Sequence, residues 1–121
     1  MLLDTCVVID ALRGSRGAIQ FVSTLVDVPY ISAVTVTELF AGFRSQKSER
    51  VARSFLADCR LLDVNARIAE SAGTILRHYK AGSGLDVPDA LIAATAEHHG
   101  LPLATLNVKH FPMFAKLKPA Y

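Results

Sequence analysis

Short, continuously apolar runs alternate with longer amphipathic stretches along the whole chain, and this alternation is its first structural signal. "MLLDTCVVIDAL" begins with apolar residues, admits one acid, and then places apolar side chains at 7, 8, 9 and 12. That spacing predicts a short buried strand running directly into a helix. "GAIQFVSTL" is amphipathic, "VPYISAV" predicts a second buried strand, and "TVTELFAGF" predicts a helix. A charged helical stretch follows from about Ser48 to Asp58, then "CRLLDV" as a third strand, then a long helix from Ala66 to about Lys80 ended by "AGSG". "SGLDVPDALIAATAEHHG" supplies the next helix, "LPLAT" a last short strand, and "NVKHF" a final helical turn.

Strands that are short, apolar throughout and separated by helices belong to a parallel sheet covered on both faces. The expected fold class is therefore α/β, with a short, mainly parallel central sheet. In such sheets ligands and chemistry collect beyond the carboxyl ends of the strands. At 121 residues the chain has room for one domain, 1–121, able to bury about two thirds of the surface its unfolded form exposes. Neither a repeat nor a linker divides it.

Composition narrows the function. Hydrophobic residues make up 51% and charged residues 20%, the balance of a compact globule. No apolar run reaches the roughly 18 residues of a membrane span, and Asp4 stands where a secretory signal carries positive charge, so a cytoplasmic location without membrane contact is expected. Thirteen basic residues against eleven acidic ones give +2, so any nucleic-acid surface must be local. Cys6 and Cys59 form no CxxC and stand beside no histidine at metal-ligand spacing, which makes them buried free thiols.

Candidate chemistry lies where strands hand over to helices: Asp4 after "MLL", Glu38 in the first turn after "YISAV", Asp89 before "ALIAATA", and Asn107 after "LATL". A parallel topology brings these positions to one edge. Three carboxylates gathered there repel one another, and a divalent cation relieves that repulsion. An oxygen-only donor set suits Mg²⁺ or Mn²⁺ over zinc. Each residue also has a purely structural explanation. Thr35-Val-Thr-Glu38 fits a capping box; Asp86 fits an N-cap, with Pro88 in the first turn and Asp89 at the third position; Asn107 fits a cap for "VKHF". Capping alone, however, does not ask the caps to converge. Other acid-dependent sites lack their partners. Cys6 occupies the place of a dehalogenase-like second aspartate, and neither a receiver-domain acid pair nor a GxxxxGK run occurs.

"LLDTCVVIDAL", "VTELFAG", "DALIAATA" and "LATLNVKHF", in this order and spacing, resemble PIN domains, specifically the VapC-type toxins of prokaryotic toxin-antitoxin pairs. The resemblance implies a three-layer α/β/α fold, a Mg²⁺- or Mn²⁺-dependent endoribonuclease, a homodimer, and a partner antitoxin whose tail covers the site. Carried over by position, Asp4, Glu38 and Asp89 match the family's three acids and Asn107 its late polar residue. His110 stands where many relatives carry another aspartate, leaving three carboxylates. In the implied scheme Asp4 and Asp89 hold the ion, Glu38 acts through water, and Asn107 hydrogen-bonds that shell. Thr5 and Thr105 are candidates to support the acids, and Arg13, Arg44, Lys47 and His110 to contact RNA. Arg44, Lys47, Arg50 and Arg53 recur every three positions, which also describes a solvated helix face. Two other functions share the fold: a nuclease of RNA processing or DNA repair, and a non-catalytic module that binds RNA or protein.

Overall fold

The computed structural model describes residues 1–79 and 81–121. Within these residues four strands, β1 (Leu2–Leu3), β2 (Tyr30–Ser32), β3 (Arg60–Leu62) and β4 (Leu103–Ala104), form one parallel sheet in the order β3-β2-β1-β4. Among the described residues six α-helices connect them: α1 (Thr5–Leu12), α2 (Arg16–Ser23), α3 (Ala33–Ala41), α4 (Gln46–Ala57), α5 (Ala66–Tyr79) and α6 (Val87–His99). Lys80, at the expected end of α5, lies outside the described residues. "NVKHF" forms the short 3-10 turn Val108–His110.

Strand alternation sorts the core into two layers. Leu2 and Leu103 point to one face, where Ile68, Ala72 and Ile75 of α5 and Ala90, Ile92, Ala93 and Ala94 of α6 pack with Phe111. Leu3, Ile31 and Ala104 point to the other, against Val7 and Val8 of α1, Leu39 of α3 and Leu56 of α4. The result is the expected three-layer α/β/α arrangement. Among the described residues, no helix is long and apolar enough to cross a membrane.

The sheet order explains where a site forms. The chain winds outward from β1 through β2 to β3, then returns across the other face and lays β4 on the free side of β1. Strand order therefore reverses between β1 and β4, and in sheets of this kind the crevice that takes ligands lies at that reversal, beyond the carboxyl ends of the strands. Asp4 stands at its head, because its backbone N–H donates to Ala104 O at 2.9 Å in the last rung of that pairing.

Several local boundaries differ from the sequence expectation. The strand expected across "VPYISAV" covers only Tyr30–Ser32, because the Ser32 hydroxyl accepts from Val34 N at 3.1 Å and starts α3 there. The Thr35–Glu38 capping box consequently does not exist. Thr35 and Glu38 are interior residues of α3, and Glu38 lies in its second turn, not its first. α4 starts at Gln46 under a reciprocal Ser45–Ser48 cap, two residues before the expected start.

Candidate active site

Asp4 is the buried centre of the crevice, with 3% of its surface exposed. As the N-cap of α1 it accepts from Thr5 N through Oδ1 at 2.8 Å. Its other oxygen, Oδ2, accepts from the Thr105 hydroxyl at 2.7 Å and from the Cys6 thiol at 3.3 Å. Thr105, entirely buried just past β4, accepts in turn from Asn107 N at 2.9 Å. A buried carboxylate is tolerable only with donors of this kind. Burial, then the charge of Asp4, pushes the Cys6 thiol above its ordinary range, so it serves as a donor and not as a nucleophile. Both cysteines are free and only half-buried, less enclosed than the sequence implied.

Glu38 reaches the same cluster from α3. The residue is exposed, yet its Oε1 accepts from the Thr5 hydroxyl at 2.7 Å. Thr5 thus serves both acids, Asp4 through its amide and Glu38 through its hydroxyl.

Asp89 and Asp86 divide as their helix positions dictate. Asp86 is the N-cap of α6, accepting from Asp89 N at 3.0 Å through Oδ1, and Asp89 closes the reciprocal box with a longer 3.4 Å contact from Asp86 N. Asp86 is exposed, whereas the Asp89 side chain is only 13% exposed. Burial first, then the neighbouring Asp86 and the charge of Asp4, push the Asp89 carboxyl up to about 7. Asp89 is therefore the helix-start acid that feels Asp4 across the crevice. His110 places Nδ1 3.2 Å from Asp89 Oδ2.

The remaining candidates sort themselves. Asn107 precedes the 3-10 turn without a side-chain cap bond, so the capping explanation for it fails; the residue is exposed. Arg13 and Lys47 line a groove of about 350 Å³ between α1, α3 and the start of α4, together with Ile9, Leu12, Leu39, Phe43 and Val51, and Glu38 stands on the same wall. Arg44 and Arg50 are exposed outside that lining. Arg53 is committed elsewhere, to Glu49 at 3.0 Å and over the Phe40 ring at 4.8 Å. His98 and His99 close α6 before Gly100, as helix-end residues.

What the arrangement can hold follows from its donors. Asp4 and Asp89 are carboxylates whose mutual repulsion a hard cation would remove. Among the described residues no three Asp, Glu, His or Cys side chains gather as one metal-holding group. A cation there would have at most the two carboxylates of Asp4 and Asp89 and would take its other ligands from water, a habit Mg²⁺ has, with Glu38 one residue removed through Thr5. It does not suit an all-protein cage. Sequence reasoning missed Thr35, whose hydroxyl lies 2.9 Å from that of Thr5. Its only signal was the helical spacing that places it one turn before Glu38.

Residues 1–117 match the PIN domain family. Ribonuclease VapC10 of Mycobacterium tuberculosis is 42% identical over 124 aligned residues, which cover 100% of this chain and 92% of that protein. Ribonuclease VapC19 of the same organism is 36% identical over 99% of this chain and 98% of that one. Among solved structures, a toxin-antitoxin complex from Klebsiella pneumoniae holds a chain 32% identical, superposing with a TM-score of 0.86 over 99% of this chain and 97% of that one.

Proposed function

This chain belongs to the PIN domain family, and from that premise we propose that it is an endoribonuclease acting as the toxin of a type II toxin-antitoxin pair. The observation that carries the reading is the pairing of Asp4 with Asp89. Two carboxylates are brought to the reversal point of the sheet, Asp4 buried and Asp89 raised in proton affinity by burial, by Asp86 and by the charge of Asp4, and a binding module has no use for such a pair there.

The mechanism needs no side-chain nucleophile, consistent with a Cys6 thiol that burial keeps protonated. Asp4 and Asp89 would hold a Mg²⁺ or Mn²⁺ ion. When bound, that ion supplies charge neutralisation at the scissile phosphate and a more acidic water. Thr105 and the Thr5 amide fix Asp4 from both oxygens, so its carboxylate cannot swing away from the crevice. Glu38, anchored through Oε1 by Thr5, has Oε2 in no hydrogen bond among the described residues, and that oxygen orients the attacking water. Asn107, placed by its N–H on Thr105, hydrogen-bonds the same water or the substrate phosphate. His110 contacts Asp89 from the far side and meets RNA at the crevice mouth.

The groove beside Glu38 gives the partners their places. Its floor is apolar and its rim carries Arg13 and Lys47, so an RNA strand is drawn along it by phosphate attraction. The same floor receives an apolar segment of the antitoxin, which would block access to Glu38. Two copies of the chain form the working toxin. The deciding test is RNA cleavage with Mg²⁺ or Mn²⁺ by the wild type beside Asp89→Asn. Cleavage by the wild type alone, with both proteins folded by circular dichroism, supports the reading; full cleavage by the folded variant rejects it.

A further inference from the structure

Glu38 is an exposed glutamate that nevertheless has one oxygen pinned, and fixing such a side chain costs rotamer freedom. The pin is the Thr5 hydroxyl at 2.7 Å, and that hydroxyl lies 2.9 Å from the hydroxyl of Thr35. A hydroxyl owns one proton, and an ionised carboxylate has none to give. The Thr5 proton therefore goes to Glu38, and the proton between the two threonines must come from Thr35. The direction of the whole chain is forced: Thr35 donates to Thr5, and Thr5 donates to Glu38.

Thr35 is not placed there by ordinary helix behaviour. Thr37, Thr74 and Thr95 each return their hydroxyl to the carbonyl four residues earlier. Thr35, completely buried, is bonded across to α1 instead.

We propose that Thr35 is a positioning residue for RNA cleavage, holding Glu38 in register with Asp4 through the hydroxyl relay Thr35–Thr5–Glu38. The proposal rests on the endoribonuclease reading above. Thr35 and Glu38 sit one turn apart on α3, so both reach toward the first residue of α1, whose amide meanwhile binds Asp4 Oδ1. With the Thr5 proton committed to Oε1, the carboxylate is held in one orientation and Oε2 keeps a constant direction. Without Thr35, the Thr5 hydroxyl loses its incoming donor and with it the constraint on its rotor.

The test is a double-mutant cycle of Thr35→Val, Thr5→Val and the pair, with Thr35→Ser as the conservative variant. It measures kcat and KM for an RNA substrate, Mn²⁺ affinity by calorimetry, and the thermal midpoint. Thr35→Val is expected to lower kcat about tenfold, to weaken Mn²⁺ binding several-fold, and to leave KM within about twofold. Thr35→Ser should recover most of both losses. In the Thr5→Val background Thr35→Val should add nothing, because the relay is already cut. Thr35→Ala takes its place in the cycle if the valine variant does not fold. Wild-type kcat in folded Thr35→Val, no recovery with serine, or additive losses in the pair would each overturn the proposal. A wild type that neither binds Mn²⁺ nor cuts RNA overturns the endoribonuclease reading itself, and the proposal with it.

Discussion

Thr105 donates its hydroxyl proton to Asp4 Oδ2 at 2.7 Å, joining residues 101 positions apart in the chain inside a fully buried contact. A hydrogen bond to a buried charge is worth about 1.5–3 kcal/mol, and its loss leaves the carboxylate under-solvated. Thr105→Val is therefore expected to destabilise the protein by about that amount in urea unfolding and to depress RNA cleavage. Thr105→Ser, which keeps the donor, should retain most of both. Equal behaviour of the valine and serine variants would show that the bond supports neither stability nor chemistry.

Asp89 predicts the pH response of the metal-free protein. Its folded carboxyl titrates at about 7 against an ordinary value of 3.8, so between those values the folded chain holds a proton that the unfolded chain has released. Stability from this group is complete below about pH 4 and is lost as pH rises through 7. Asp89→Asn should flatten that decline and stabilise the metal-free protein at pH 8 by about 1–3 kcal/mol. Thermal melts across pH 4–8 measure it. Mn²⁺ should raise the wild-type midpoint at pH 8 and leave that of Asp89→Asn unmoved.

Arg13 and Lys47 face one groove, and their charges should act on substrate capture. Replacing both with glutamine removes two phosphate neutralisations, and for a single strand that lowers the slope of log affinity against log salt by about 1.4. The loss should fall on KM. An unchanged salt slope would assign the groove to the antitoxin alone.

Gly84 adopts φ +75°, and a Cβ there would meet His110 Nε2 at 3.1 Å, the ring that lies against Asp89. Gly84→Ala is expected to cost about 1–3 kcal/mol through backbone strain and to displace that ring. Unfolding in urea checks the first effect, and comparison of cleavage with His110→Ala checks the second.

Much of the fold was legible because short parallel strands and their helices leave periodic signals: "MLL", "YIS", "RLL" and "LPLA" each contain an observed strand. The misread features were those where neighbouring residues compete for one role. Ser32 and Thr35 both qualify as helix caps, and only the backbone decides that Ser32 takes the position, which frees Thr35 to bond Thr5. The basic series from Arg44 to Arg53 looked uniform. Packing gives Lys47 to the groove and Arg53 to Glu49 and Phe40.

By itself the sequence determined the alternation of elements, the oxygen-only character of the acids, and the helix-start positions of Asp86 and Asp89, one capping from outside and the other in the first turn. These are local properties, governed by residues three or four apart. Only the tertiary structure decided which hydroxyls serve which carboxylates: Thr105 to Asp4, Thr5 to Glu38, Thr35 to Thr5. A hydroxyl's partner depends on where its single proton points, and that is set by strands and helices distant in the chain meeting at the carboxyl edge of the sheet.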